Sequence, residues 1–325
     1  MSQLSSLIRN PLVRVGFATF VLGILILSLP AMAVAQYQFY EGPEFCKQCH
    51  EDDYNDWKAS GHPYKLMKGE EAQFRPIPLP KGFDWEDISY VIGGYKWKSR
   101  YMDNDGYIIT NDGSLEGGNT QYNYLTDEWS DYHADEPNGT KPYDCGACHT
   151  TAWIPNENPE DLSGNQDGLP GLHGRFFAGG IQCEQCHGPG FESMEIDRSA
   201  EFCGTCHVRG DPETIPASGG FIRHHEQYNE HLAGPHGSRD CVMCHDPHKK
   251  AEFSIKETAQ CGVSCHSGKL ESYSKTSMYD YGVTCEDCHM PYATKSAQAL
   301  GPHQGDLKTH IFYIDTDPDA NMFTE

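Results

Sequence analysis

Two things are scarce in this sequence: aliphatic side chains and positive charge. Only 38% of the 325 residues are hydrophobic, too few for an interior packed from Leu, Ile and Val or for a membrane bundle. Lys and Arg number 24 against 47 Asp and Glu, a formal net charge of -23, which excludes nucleic acid as a natural partner. The acidic residues are dispersed, so they read as a solvated surface. Disorder is excluded by 18 Tyr, 14 Phe and 5 Trp, too many aromatics for a solvated chain. What is abundant is Cys, with 14, and His, with 17, beside 33 Gly and 20 Pro. That balance leaves a globular protein whose interior is supplied by a cofactor or by cross-links.

Residues 1–35 are read as an export signal. Arg9 and Arg14 give a positive start, Val15 to Leu29 is an apolar run, and Ala33-Val34-Ala35 is a small-x-small site that predicts cleavage after Ala35. The alternative is an uncleaved N-terminal anchor, because the run is near the lower length limit for a spanning helix. No Cys lies near the site, which argues against a lipid anchor. The expected location is the periplasm or the cell exterior.

No Cys is left outside one repeated motif. The seven copies are Cys46-Lys-Gln-Cys49-His50, Cys145-Gly-Ala-Cys148-His149, Cys183-Glu-Gln-Cys186-His187, Cys203-Gly-Thr-Cys206-His207, Cys241-Val-Met-Cys244-His245, Cys261-Gly-Val-Ser-Cys265-His266 and Cys285-Glu-Asp-Cys288-His289. Disulfides and zinc sites need no His at that place, and chance would supply all seven about once in 10⁹ trials. Covalent haem c needs all three residues: two thiols add to the porphyrin vinyl groups and the imidazole ligates the iron. One helical turn sets Cys at i and i+3 on one side with His at i+4 over the ring. In the sixth motif the extra residue between Cys261 and Cys265 is expected to loop out. Seven covalent haems would then fill the place of the missing aliphatic core, with folding coupled to their attachment.

The motifs repeat with a period of 58, which links Cys145, Cys203 and Cys261 and also Cys183 and Cys241. The first set carries Gly146, Gly204 and Gly262, expected to allow close approach of backbone to the porphyrin. The second set and Cys285 carry Pro189, Pro247 and Pro291 two residues after the His, where each ends the motif helix. The predicted organisation is therefore an export signal over 1–35, a first motif with a haem-free insertion over 36–140, and haem-pair modules over 141–325. Within the insertion, Tyr95 to Tyr101, the turn Asp103 to Gly106, and Tyr107 to Thr110 predict a β-hairpin, and Arg75 to Pro80 an extended linker. The insertion is read as a packing flap over the first haems, or else as a docking or self-assembly surface.

Ten His lie outside the motifs: His62, His133, His173, His224, His225, His231, His236, His248, His303 and His310. They suffice for a second imidazole on every iron, which leaves no position for substrate and favours electron transfer. His173 and His231 are 58 apart, each ten residues before a motif, and are candidate distal ligands. His62, His224, His225, His236, His248 and His310 complete the candidate set, with His133 and His303 the least favoured.

The motifs, together with Ser60-Gly-His-Pro63, the Gly-Pro-Gly190 that follows His187, Gly220 to Tyr228, the Met-Pro-Tyr292 that follows His289, and Gly305 to Phe312, resemble the multihaem c-type cytochrome superfamily. That group includes electron carriers of ammonia oxidation, pentahaem nitrite reductases, octahaem hydroxylamine oxidoreductases and filament-forming extracellular cytochromes. The resemblance implies a mainly α and irregular fold, with short helices and loops wrapped around a chain of haems, stacked and perpendicular by turns. It supports His62 and His310 as distal ligands. The Cys-x-x-Cys-Lys motif of the nitrite reductases is absent. The reading is an exported heptahaem carrier serving other redox proteins, such as cytochromes or membrane quinol-linked complexes, or an extracellular acceptor. The rivals are an oxidoreductase acting on a small nitrogen or sulfur compound at a five-coordinate haem, and a subunit of a conductive filament.

Overall fold

The structure is a computed structural model of the chain, and it describes residues 37–111, 113, 118–190, 196–218, 221–223, 226–302 and 304–314. The export signal and the candidate ligands His224 and His225, with His303, lie outside the described residues. The described residues fall into two compact units, 37–41 with 189–190 and 42–188 with 196–314. In the small unit, the Tyr37 and Tyr40 rings meet edge to face at 6.0 Å.

The large unit is made of short helices and irregular segments, as expected, with more sheet than the sequence suggested. Its longest helix among the described residues is Glu51–Ala59, nine residues, and no described helix is long and apolar enough to cross a membrane. A five-stranded antiparallel meander fills the haem-free insertion: β1 Leu66–Lys68, β2 Tyr90–Gly93, β3 Lys98–Met102, β4 Gln121–Asn123 and β5 Glu128–Ser130. The predicted turn is present, closed by Gly106 N–H to Asp103 O at 3.0 Å. The arm after it pairs back through the single bridge Met102–Ile108. The main partner of β3 is instead β2, with Val91 opposite Tyr101 and Ile92 opposite Arg100. The sequence signal for β1, β4 and β5 was weak because each is three residues long, too short to show alternation.

Alternation along β1 to β3 splits the sheet into two faces. Leu66, Tyr90, Ile92 and Met102 pack with Ile108, Tyr143, Leu172 and Phe176. Met67, Val91 and Tyr101 face the other way, onto Ala72, Ile77, Ile88 and Ile109. Ile77 comes from the Pro-rich segment predicted as extended, which has no regular structure. Each fully buried aliphatic here contributes about 1.5–3 kcal/mol.

Residues 196–314 are built differently. Their one cluster of buried apolar residues is small, Ile222, Ala293 and Ile311 beside Ile215, over strands Phe221–Arg223 and Thr294–Lys295 paired in parallel. Meanwhile Met243, Phe253, Val263, Met278, Tyr279 and Tyr281 are exposed in the polypeptide. Four of the seven motifs lie in this stretch. The part of the chain richest in motifs is thus the part that does not bury its apolar side chains against protein.

Candidate functional site

Every motif places its residues on one helical turn. The turn is an α-helix at Gly146–His149, Cys183–His187 and Cys285–His289. Elsewhere the i+4 bond alone defines it: His50 N–H to Cys46 O at 3.0 Å, His207 N–H to Cys203 O at 2.9 Å, and His245 N–H to Cys241 O at 2.9 Å. The ends are set locally. Ser199 Oγ accepts from Phe202 N–H ahead of the fourth motif, and Thr284 and Asp287 form a capping box at the seventh. Gly188, at φ 74, stops the third.

The sixth motif corrects the sequence reading. Its extra residue does not loop out; Cys261–Cys265 is a π turn, and His266 N–H bonds Cys261 O at 2.7 Å. Widening the ring from i+4 to i+5 absorbs one residue while keeping the hydrogen bond that delivers the His.

The glycines of the second, fourth and sixth motifs are also required by a contact with protein. A Cβ on Gly146 would lie 2.0 Å from the Trp153 ring, one on Gly204 2.6 Å from the Tyr228 ring, and one on Gly262 2.8 Å from Leu270 Cβ. The close approach is to protein side chains packed behind the turn. Trp153 belongs to the sheet-side core, 6.3 Å from Phe176 in a stack and 6.2 Å from Tyr143 edge to face.

None of the 14 Cys is in a disulfide. Cys145 is exposed, yet burial pushes its thiol up to about 11. Burial likewise raises Cys183 to about 12 and Cys186 to about 11. The thiols also show which motifs are neighbours. Cys46 meets Cys183, Cys148 meets Cys206, and Cys203 meets Cys241 through side-chain hydrogen bonds. Cys186 lies beside Cys203, Cys244 beside Cys265, and Cys261 beside Cys285. The spatial order is therefore first, third, fourth, fifth, sixth, seventh, with the second motif beside the fourth.

The His side chains carry the clearest geometry. His187 faces His248 with ring centroids 6.1 Å apart and planes 22° from parallel. His245 faces His310 at 6.0 Å and 36°, and His266 faces His236 at 6.0 Å and 70°. A metal–imidazole bond is about 2 Å and the ring centre lies roughly 1 Å beyond the nitrogen, so two imidazoles on one iron stand about 6 Å apart. Three motif His and three of the candidate distal His meet that test. His236 Nδ1 and His310 Nδ1 are moreover buried without a hydrogen-bond partner among the described residues.

Several rings are fixed through one nitrogen, leaving the second available to a metal. His149 Nδ1 is 3.2 Å from Lys65 O, His289 Nδ1 2.8 Å from Phe312 O, and His62 Nδ1 3.1 Å from Pro247 O. His245 Nδ1 is held by Ser254 Oγ at 2.9 Å and His248 Nδ1 by Asp246 at 3.0 Å. Burial holds His62, His149 and His310 down to about 3 and His207 to about 4. They are neutral near pH 7, the form that ligates metal. Buried Glu230 bonds the backbone N–H of His310 at 2.5 Å and Thr294 Oγ1 at 3.1 Å, fixing the C-terminal segment.

Two candidates from the 58-residue period differ from each other in the structure. His231 lies in helix Gln227–Ala233, with Nε2 2.7 Å from Arg239 O, so Nδ1 is its free nitrogen. His173 lies in an extended segment where its backbone N–H bonds Tyr143 O and its carbonyl accepts from Asn156. His133 stays apart, exposed, with Nδ1 2.8 Å from Glu136. Sequence reasoning did not single out Trp153, Ser254, or the cations Lys65, Lys98 and Arg100 near the second motif. The last had a visible signal, two cations at i and i+2 in an acidic chain.

The residues present fit covalently bound haem c: paired thiols on one turn, an adjacent imidazole, and a second imidazole at the right separation. Comparisons agree. A family model, cytochrome c554 and c-prime, matches residues 45–75 and 121–188. The chain is 26% identical over 160 residues to the multiheme cytochrome MtrA of Shewanella baltica (strain OS185), a match covering 41% of this chain and 44% of MtrA. It thus spans less than half the length of that relative. Among solved structures it is similar to the outer cell wall cytochrome OcwA, at a TM-score of 0.56 and 21% identity over 84% of this chain and 79% of OcwA. It is also similar to the octaheme sulfite reductase MccA of Wolinella succinogenes, at 0.57 and 18% over 86% of this chain and 59% of MccA. At those identities the likeness to both structures is one of fold.

Proposed function

We propose that the chain, which is similar to multihaem c-type cytochromes, is an exported heptahaem electron carrier. In this reading each of the seven motifs holds one haem c, and a second His completes each iron. The observation that carries it is the set of three imidazole pairs 6.0–6.1 Å apart. We assign His248 to the third motif, His310 to the fifth and His236 to the sixth. His62, which has His207 among its neighbours, goes to the fourth. His173, His224, His225 and His231 supply the first, second and seventh.

Bound haem supplies a one-electron ferric/ferrous couple. The chain's own residues do the rest. The Cys pairs fix position, the Nδ1 partners fix ring orientation, and burial keeps His62, His149, His207 and His310 neutral. A second His at each iron removes the position a substrate would need, which favours transfer over catalysis. The thiol contacts between motifs keep successive attachment points close, as passage of electrons between fixed centres requires. The partners on this reading are other redox proteins, cytochromes or membrane quinol-linked complexes, or an extracellular acceptor. A relative named as an outer cell wall cytochrome supports a place in the periplasm or at the cell surface.

Voltammetry of the haem-loaded chain adsorbed on an electrode tests the proposal. Reversible one-electron waves, unchanged when nitrite, hydroxylamine or sulfite is added, are expected. A catalytic current with any of the three would make the chain an oxidoreductase instead.

A further inference from the structure

The sheet of the insertion presents one unusual face. Along β3, Lys98, Arg100 and Met102 share the face of Leu66, Tyr90 and Ile92 by alternation. That face is apolar toward Met102 and turns polar and cationic toward Lys98. Gln121 and Asn123 of β4 and Ser130 of β5 continue it. These groups hold one another. Arg100 Nε donates to Gln121 Oε1 at 2.8 Å, Gln121 Nε2 to Asn123 Oδ1 at 2.8 Å, and Asn123 Nδ2 to Ser130 Oγ at 3.0 Å. The Arg100 guanidinium lies on the Tyr132 ring, 3.5 Å from its centroid.

The same face carries a contrast in pairing. Lys68 has its counter-ion, Asp167, at 3.1 Å. Lys98 donates to a neutral carbonyl, Ser296 O, at 2.6 Å. Among the described residues neither Lys98, Arg100 nor Lys65 has a carboxylate within ion-pair distance. Three cations without a counter-ion in contact are conspicuous where carboxylates outnumber cations 47 to 24. Burial lowers all three below their ordinary values, for Lys98 against the opposing pull of the buried Asp306 carboxylate, although each keeps some accessible surface. Lys65 O lies 3.2 Å from His149 Nδ1, and Met102, on the same face of the sheet, packs with Tyr143, two residues before Cys145. That places the cations beside the second motif. A largely buried cation without a counter-ion is costly, so an anion is expected there.

We propose that Lys98 and Arg100, with Lys65, form a carboxylate clamp of the second motif, taking the propionate groups of the haem held by Cys145 and Cys148. This rests on the haem reading of that motif. The clamp neutralises negative charge beside one iron, which favours its ferrous form and makes this centre the most readily reduced of the set. The insertion then does more than cover the haems: it sets the potential of the centre that stands beside the fourth motif.

The test is an optical redox titration of the full haem-loaded chain and its Arg100→Gln and Lys98→Gln variants. Each substitution is expected to move one component by about tenfold in its ferric/ferrous ratio at fixed potential, which is about 59 mV toward lower potential for a one-electron couple. Arg100→Lys should leave that component in place, which loss of packing alone would not. A Cys145→Ser, Cys148→Ser double variant identifies the component by deleting it. If that variant keeps the wild-type haem mass, the haem reading of the motif fails, separately from the clamp. The clamp is overturned if Arg100→Gln leaves the titration unchanged or shifts every component equally. It is also overturned if the wild-type component moves with added inorganic phosphate, since the cations would then hold a free oxyanion.

Discussion

Replacing Gly146 by Ala puts a methyl group where the Trp153 ring already sits. The new Cβ would be 2.0, 2.2 and 2.3 Å from three ring atoms, against the roughly 3.5–4.0 Å of carbon–carbon contact, so the indole must withdraw by about 1.5 Å. It can withdraw only toward its partly exposed side. Gly174 abuts its other edge, where a Cβ would be 2.4 Å from the ring, and Phe176 and Tyr143 pack its faces. Overpacking of this kind costs about 1–3 kcal/mol, and here the upper end applies. The gain in helix propensity of Ala over Gly returns up to about 1 kcal/mol. The sum is a loss of about 1–2 kcal/mol, or roughly 3–8 °C in thermal midpoint. At Gly262 the equivalent Cβ would meet Leu270 at 2.8 Å. Leu270 belongs to helix Ser267–Tyr273, which has no buried residue and shifts with ease, so Gly262→Ala should change the midpoint by less than about 2 °C. The assay is thermal unfolding of the two haem-loaded variants by circular dichroism. Equal midpoints, or a larger loss at Gly262, would refute the reasoning.

His248→Ala removes the ring facing His187 and should convert one haem per chain to a high-spin form that binds carbon monoxide, read by optical titration; no carbon monoxide uptake would break the assignment. Glu230, 1% exposed, is raised by burial from 4.5 to about 7, so its protonated form is favoured on folding. Its contribution is full below about pH 4.5 and is lost as pH rises to about 7, a span of about 3 kcal/mol. Denaturant titrations across that range should show Glu230→Gln with a flatter profile than the parent; identical slopes would count against it. A Cys261→Ser, Cys265→Ser double variant should weigh one haem less by intact mass, because the π turn presents its His as the others do. An unchanged haem mass would show the sixth motif unoccupied.

The seven motifs stood out in the sequence because the attachment chemistry proposed for them is local: two thiols and an imidazole must share one turn, so spacing alone marks them. The π turn was not, since the sequence gives an extra residue without saying whether the hydrogen bond loops around it or widens. Repeat arithmetic gave His173 and His231 equal standing, yet one sits on a helix and the other on an extended segment, because different neighbours pack each copy. Pairings such as His187 with His248 join residues 61 apart and are set by tertiary packing, which no local pattern encodes. Strands β1, β4 and β5 escaped notice because, at three residues each, they carry no measurable period. The cations of β3 were visible but not their isolation, which needs the positions of every carboxylate.

The central claim is that every iron in this chain is held between two His. Electron paramagnetic resonance of the air-oxidised, haem-loaded protein, scaled to a haem count from the pyridine haemochrome spectrum, tests it most directly. The account predicts seven haems per chain and low-spin ferric signals alone. A high-spin ferric signal equal to one haem per chain would contradict it.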